Sequence, residues 1–581
     1  MKTCQICKKD FVIEPEDFNF YGKIKVPPPT FCPECRTIRR LSWRNEMSLF
    51  KRKCDAPGHD EMLISFIYPD EKVTVYDSKY WWSDKWNPLS YGREYDFSKP
   101  FFTQWKELRD VFPIQCLSNI KATNSDYCNV AEGSKDSYLS SASWRIDRTF
   151  YSNRIAYTKD SSDLYVVHRS ELCYEDMFCT DCYHVLYSFN CKSCVDSYFL
   201  YDCHGCTNCF GCGNLRNKSY CMWNEQLPKE EYFKRLAEIN IKSHKEISLF
   251  KEKFNELYKR SIHRYMNYTK VVNSTGDNLD GVKNCRFCFD AAGTRIEDSK
   301  YIHWVAVQAK DAYDSGPGVG EIELGYEVFD TGVGGFRNLF CSVVYSCNNI
   351  EYSFNCHGCD NLFGCLGLRS KKYCILNKQY TKEEYEALIP KIKKQMMEIP
   401  YIDKRGVEYR YGEFFPSELS TFGYNETQAQ DYFPTTKEKA LETGYRWRDK
   451  EIKEYKTTMK SEDLPDNLDE SADSITKEII TCLSHKKKGE DHCLGAFKIT
   501  LDELNLYRYL KVPLPRYCFN CRHEMRLRKR NPLRLWHRQC MCQKKNHGHP
   551  DIQCPSKFET SFAPDRPETI YCESCYNKEV Y

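Results

Sequence analysis

The sequence predicts a multidomain, mainly β fold in which two terminal modules flank a Cys-rich, repetitive, β-solenoid-like region carrying two amphipathic helices. Three observations lead there. Phe11 to Cys54 recurs without a gap as Phe497 to Cys540, identical at 18 of 44 positions. Between Cys179 and Gln226 the chain divides into four 12-residue units, the first two being CTDCYHVLYSFN and CKSCVDSYFLYD. Residues 356–385 then repeat 203–232 at 19 of 30 positions, and a fixed period is the signature of stacked repeats.

In chain order, residues 1–57 hold Cys4-x2-Cys7 and Cys32-x2-Cys35. Two thiolate knuckles at this spacing close a tetrahedral Zn2+ site, so the module reads as a zinc ribbon. Residues 58–115 form an aromatic linker domain, dense in Trp and Tyr, with a short helix from Phe101 to Val111. Residues 116–268 are the first Cys-rich β-repeat, followed by an amphipathic helix from Lys229 to about Arg260 with Tyr232, Leu236, Ile239, Ser243 and Ile247 at three- and four-residue steps. Residues 269–400 repeat the arrangement, with a helix to about Glu398. Residues 401–470 read as a solvated connector. The second zinc ribbon, 471–535, offers Cys482, Cys493, Cys518 and Cys521, with His485 and His492 competing for one position. The C-terminal knuckle, 536–581, offers Cys540, Cys542, Cys554, Cys572 and Cys575, five thiols for four places. Because Cys54 has no thiol partner nearby, its counterpart Cys540 is expected either to ligate or to pack.

Thirty-four cysteines behind a start, MKTCQICKKD, without an apolar h-region point to a reducing, cytoplasmic setting with metal-bound thiolates. No window approaches 18 consecutive apolar residues, so no membrane partner is expected. Cys203, Cys206, Cys209 and Cys212 suit an iron–sulfur cluster, zinc, or inward-packed thiols in a repeat core; the second copy has Leu362 where Cys209 stands, which disfavours a cluster. Gly316, Gly318 and Gly320 read as turns, since neither a Walker lysine nor a strand-to-helix context accompanies them. No HExxH or Gly-x-Ser-x-Gly element occurs, so the enzymatic reading leans to no.

Net charge is only +3, yet arginines cluster behind each knuckle. Arg36, Arg39, Arg40 and Arg44 follow the first; Arg522, Arg526, Arg528, Lys529, Arg530 and Arg534 follow the second. Such local fields suit phosphate, so these ten are the candidate nucleic-acid-binding residues. The expectation is a zinc-binding, non-enzymatic scaffold associated with nucleic acid, RNA favoured, or a ribonucleoprotein. The alternatives are a protein–protein interaction scaffold without nucleic acid and a β-helix or iron–sulfur enzyme. Through CPECRTIRRLSWRNE, PRYCFNCRHEMRLRKRNP, LWHRQCMC and FETSFAPDRPETIYCESCYNKEVY, the chain resembles uncharacterised bacterial proteins of the candidate-phyla type with duplicated zinc-ribbon domains. That resemblance implies zinc binding and no established activity.

Overall fold

The computed structural model of the chain describes residues 1–449, 455–485, 492–549 and 553–581. It is multidomain and mainly sheet, with a four-cysteine group in each terminal module.

In the first Cys-rich region, strands pair in parallel with their neighbours 12 residues away: Asn153 with Tyr165, Ile155 with Val167, Cys209 with Cys221. A finer period of three lies within each 12. Arg154, Tyr157, Asp160, Asp163 and Val166 all have φ between 41° and 60°, and the left-handed residues continue at every third position. The residue after each of them is buried: Ile155, Thr158, Ser161, Leu164 and Val167 are each at most 1 % exposed. Each 12-residue turn therefore has four corners and four inward side chains.

A side chain at every third position faces a narrow interior, which explains the composition. The inward series from Cys173 runs Asp176, Cys179, Cys182, Val185, Ser188, Cys191, Cys194, Ser197, Leu200, Cys203, Cys206, Cys209 and Cys212, all buried. Small size is one requirement and an acceptor is another. In the triplet Ser162-Asp163-Leu164, the Ser162 amide donates to Cys173 O (3.0 Å) and the Asp163 amide to Phe150 O (3.1 Å). The third amide, Leu164 N, points inward and donates to Ser152 Oγ (3.0 Å), one turn earlier. Ser161, Ser188 and Ser197 do the same for Cys173, Leu200 and Cys209, and Cys212 Sγ does so for Asn224 at 3.4 Å. Inward Ser and Cys thus satisfy backbone donors that the parallel ladder leaves over. Leu362 occupies the corresponding inward place in the second copy and is fully buried, so the Cys-to-Leu exchange is a packing exchange.

The second region follows the same plan over 336–376, whereas several pairings from 282 to 344 widen to 13 or 14 residues, as in Ile296 with Ala309 and Phe289 with His303. Gly316 and Gly318 lie between strands at φ +104° and +80°, a Cβ on Gly316 standing 1.8 Å from His303 O, whereas Gly320, expected in a turn, lies inside the strand Val319–Glu323. The segment expected as one helix from Lys229 is two, Lys229–Ala237 and His244–Arg260. Ser243, expected inside the helix, instead caps the second by accepting from Glu246 N at 3.2 Å. The second copy's helix is Lys382–Glu398, begun by a capping box at Thr381 and Glu384.

The expected solvated connector is a correction. Tyr409, Tyr411, Phe414, Phe415 and Leu419 are buried in one core with Trp43, Trp105, Phe340 and Tyr352, because the aromatic residues between the polar turns cover the faces of the second β-region. Residues 450–454 of that stretch lie outside the described residues. Among the described residues, no helix is long and apolar enough to cross a membrane.

Two outcomes follow for the inward row. Ser188→Ala strands the Leu200 amide and lowers stability by about 1–3 kcal/mol in denaturant unfolding, whereas Ser188→Cys retains most of it. Asp176 is a carboxyl on the inward face, fully buried, and burial pushes its pKa up. Its folded-state value lies above its unfolded one, so its contribution is fully present below about pH 3.9 and is lost as pH rises toward the folded value. Asp176→Asn therefore raises the melting temperature, and by more at pH 8 than at pH 5 in a thermal melt.

Candidate metal centres

Three sets of four cysteines form among the described residues, with sulfurs within 4.8 Å of one another: Cys4, Cys7, Cys32, Cys35; Cys482, Cys493, Cys518, Cys521; and Cys540, Cys554, Cys572, Cys575. In the first, Cys4 and Cys7 sit in the turn between Lys2–Thr3 and Asp10–Phe11, tightened by Lys8 in the left-handed region. Cys32 is the N-cap of the helix Pro33–Leu41, with proline at its first position, and Cys35 lies in the first turn. Cys518 and Cys572 likewise cap Phe519–Leu527 and Glu573–Val580. A helix start favours thiolate through its unsatisfied amides.

The spacing of the sulfurs fits a tetrahedral ion. With metal–sulfur bonds of about 2.3 Å, the edge of the tetrahedron is about 3.8 Å. Cys7 and Cys32 are 3.7 Å apart, Cys482 and Cys521 3.8 Å, Cys518 and Cys521 3.5 Å, and Cys554 and Cys572 3.9 Å. All 34 cysteines are free of disulfides. Hydrogen bonds from Cys32 and Cys35 hold the Cys4 thiol far below its ordinary range, while the same two kinds of contact push Cys35 up.

The structure settles which thiols gather. Cys493 completes the second set, and His485 stands outside it, near Gly495. The ungapped register that pairs Phe11 with Phe497 also pairs Cys7 with Cys493, which was the available signal. Cys540 joins the third set rather than merely packing. Cys542 stands apart from that set, grouped with His547, His549 and the shared Cys575, two histidines the sequence reading passed over. In the middle of the chain, sulfurs of the described residues form no group of three or more within the same distance. Cys203, Cys206, Cys209 and Cys212 instead donate to backbone carbonyls two residues back at 3.4–3.6 Å.

The arginines behind the knuckles are mostly turned inward. Arg36, Arg39, Arg40, Arg44, Arg522 and Arg526 are 0–7 % exposed. Arg36 and Arg40 grip the two oxygens of Asp314 at 2.9 and 3.4 Å. In the second module, Arg522 pairs with Asp163 Oδ2 and Arg526 with its Oδ1 at 2.6 Å. The equivalent pairs of the two terminal modules therefore hold equivalent left-handed aspartates of the two β-regions, and they do so crosswise, the N-terminal module on the second region and the later module on the first. Arg39 donates twice to Glu327 (2.7 and 2.9 Å) and once to Glu413 (3.0 Å). Arg44 meets Glu46 at 2.5 Å and Asp330 at 3.2 Å. Arg530, half-buried, lies 3.6 Å over the Tyr432 ring and donates to Tyr165 Oη. Of the ten basic residues expected at phosphate, Arg528, Lys529 and Arg534 are exposed; Arg528 pairs with Glu524 and Arg534 with Glu34.

The six buried guanidiniums are thus matched to carboxylates inside the protein, and their neutralisation is internal. Removing one side of such a buried pair leaves an uncompensated charge. Asp163→Asn is expected to cost about 3–5 kcal/mol in unfolding, while Arg528→Glu, at the surface, changes stability by less than about 1 kcal/mol.

Comparison of the chain with protein-family models, with curated proteins and with solved structures gave no match in any of the three.

Proposed function

We propose that the chain is a zinc-stapled, non-enzymatic scaffold for protein partners, in which two zinc ribbons of the type the sequence resembles lock a duplicated β-solenoid into one body. The observation that carries this reading is the crossed pairing of Arg36 and Arg40 with Asp314 and of Arg522 and Arg526 with Asp163. Each zinc ion would hold the knuckle that starts the arginine-bearing helix, and so fix where the guanidiniums stand. Zinc suits four thiolates in tetrahedral array and adds folding free energy to modules too small to carry a core of their own. The strands paired every 12 residues, with one inward side chain per triplet, support the solenoid reading.

Nucleic-acid binding, RNA or a ribonucleoprotein, is the competing reading, and it now rests on Arg528, Lys529 and Arg534 together with His537, which is 89 % exposed. The two readings separate in solution. Elemental analysis of the purified, colourless chain is expected to give at least three zinc ions, one per four-cysteine set; fewer than two, or iron in their place, removes the zinc reading. Fluorescence anisotropy with labelled RNA is expected to show negligible binding at low salt. Binding whose logarithm falls against log salt with a slope near −2 for a single strand, abolished by changing Arg528, Lys529 and Arg534 to Glu, would favour nucleic acid instead.

A further inference from the structure

The third four-cysteine set has a counterpart in the N-terminal half whose chemistry differs. The hairpin Trp536–Gln539 with Lys557–Thr560 repeats the hairpin Phe50–Lys53 with Met62–Ser65. Lys53 faces Met62 as Gln539 faces Lys557. The next amides behave alike: Cys54 N donates to Glu61 O at 3.1 Å and Cys540 N to Ser556 O at 2.9 Å. Counting back along the second strand places His59 where Cys554 stands. Downstream, Thr74-Val75-Tyr76-Asp77 answers Thr569-Ile570-Tyr571-Cys572, and Asp77 and Cys572 each cap the following helix. The Asp77 amide donates to Cys54 Sγ at 3.4 Å, just as the Cys572 amide donates to Cys540 Sγ at 3.2 Å. Three of the four ligand positions are therefore filled by Cys54, His59 and Asp77, and the fourth, that of Cys575, by Tyr80.

Glu61 supplies what Tyr80 does not. The ligating atoms of Cys54, His59, Glu61 and Asp77 lie within 4.8 Å of one another. His59 Nδ1 is 2.7 Å from Glu61 Oε1 and 3.4 Å from Asp77 Oδ2. The Asp77 carboxylate is held in place by the amides of Lys79 (2.8 Å) and Tyr80 (3.2 Å), and the Tyr80 ring meets the imidazole edge-on at 4.9 Å. Supported ligands of this kind are what a metal site needs around its first ring of donors. Cys54 is buried, but Glu61 is half exposed, so the site opens to solvent on the glutamate side.

We propose that Cys54, His59, Asp77 and Glu61 bind a fourth divalent transition-metal ion, with zinc the expected occupant and Glu61 the exchangeable ligand. One thiolate, one imidazole and carboxylate oxygens all bind zinc. With a single sulfur donor and an open side, this ion exchanges faster than those in the four-cysteine sets. The assignment rests on the duplicated hairpin and not on the zinc content of the other sets.

The test uses the full-length chain, purified with zinc present and passed through a desalting column. Zinc is measured by elemental analysis, and its release to a metallochromic dye is followed at neutral pH without denaturant. The wild type is expected to release about one ion per chain rapidly, and His59→Ala/Asp77→Asn to contain about one ion fewer and to lack that phase. Glu61→Gln, at an exposed position, keeps the fold and is expected to speed the phase by at least tenfold. Cobalt added after the rapid phase is expected to give a ligand-field spectrum in the wild type and none in the double variant. Equal zinc content and identical release in wild type, double variant and Glu61→Gln overturn the proposal and leave His59 as an imidazole bridging two carboxylates. Loss of the four-cysteine ions alone would lower the slow fraction and leave the rapid phase intact, so the two readings fail separately. Were the double variant to misfold, the Glu61→Gln rate and the wild-type cobalt spectrum still decide.

Discussion

Two guanidiniums closing on one buried aspartate constrain the rest of this molecule. Burying such charges costs several kcal/mol for each ion unless the partner geometry is good, and the chain meets that condition by three linked devices. A cysteine knuckle starts a helix, the helix carries arginines four residues apart on one face, and a left-handed corner of the β-region presents a carboxylate to both. Asp163 and Asp314 sit in corresponding places, and each is fully buried. The pairing is crosswise, so neither half of the chain is complete by itself. Connector residues close the arrangement, with Glu413 accepting from Arg39 and from the Thr30 amide (2.8 Å).

The β-regions can offer those carboxylates because their backbone repeats every three residues. A corner in the left-handed region costs free energy for most side chains, and it recurs here at Tyr, Val and Phe as well as Asn and Asp. What offsets it is pairing: corner amides such as that of Asp163 bond to the turn before, inward Ser, Asp or Cys side chains meet several of the following amides, and stacked rings such as Tyr187 and Phe199 (4.8 Å) cover the outside. The thiols in the middle of the chain and those at its ends therefore serve different physics. In the middle, sulfur is a small packing group that also bonds to backbone; at the ends, four sulfurs meet at the edge length of a metal tetrahedron.

Much of this was legible in the residues. The internal repeat identified Cys32, Cys35, Cys518 and Cys521, and the 12-residue units anticipated the strand pairing. The finer period of three was present in CxxCxxCxxC and was masked by its likeness to metal knuckles; only the burial of every third residue, serines included, separates the readings. Arginine clusters are ambiguous in sequence because their partners, Asp163 and Asp314, lie hundreds of residues away and nothing local marks them. Cys54 looked isolated because its companions are His59, Glu61 and Asp77, residues common on any surface. The connector reads as solvated for a related reason: polar turns dominate its composition while its aromatics, Tyr409 to Phe415, carry its burial.

The claim at the centre is that metal in the ribbons holds the arginine helices on the opposite β-regions. Hydrogen–deuterium exchange of the full chain before and after metal removal tests it most directly. The account predicts that chelation exposes amides in the ribbons and, together with them, amides of the turns around Asp163 and Asp314. Ribbons that lose protection while the turns around Asp163 and Asp314 stay unchanged would contradict it.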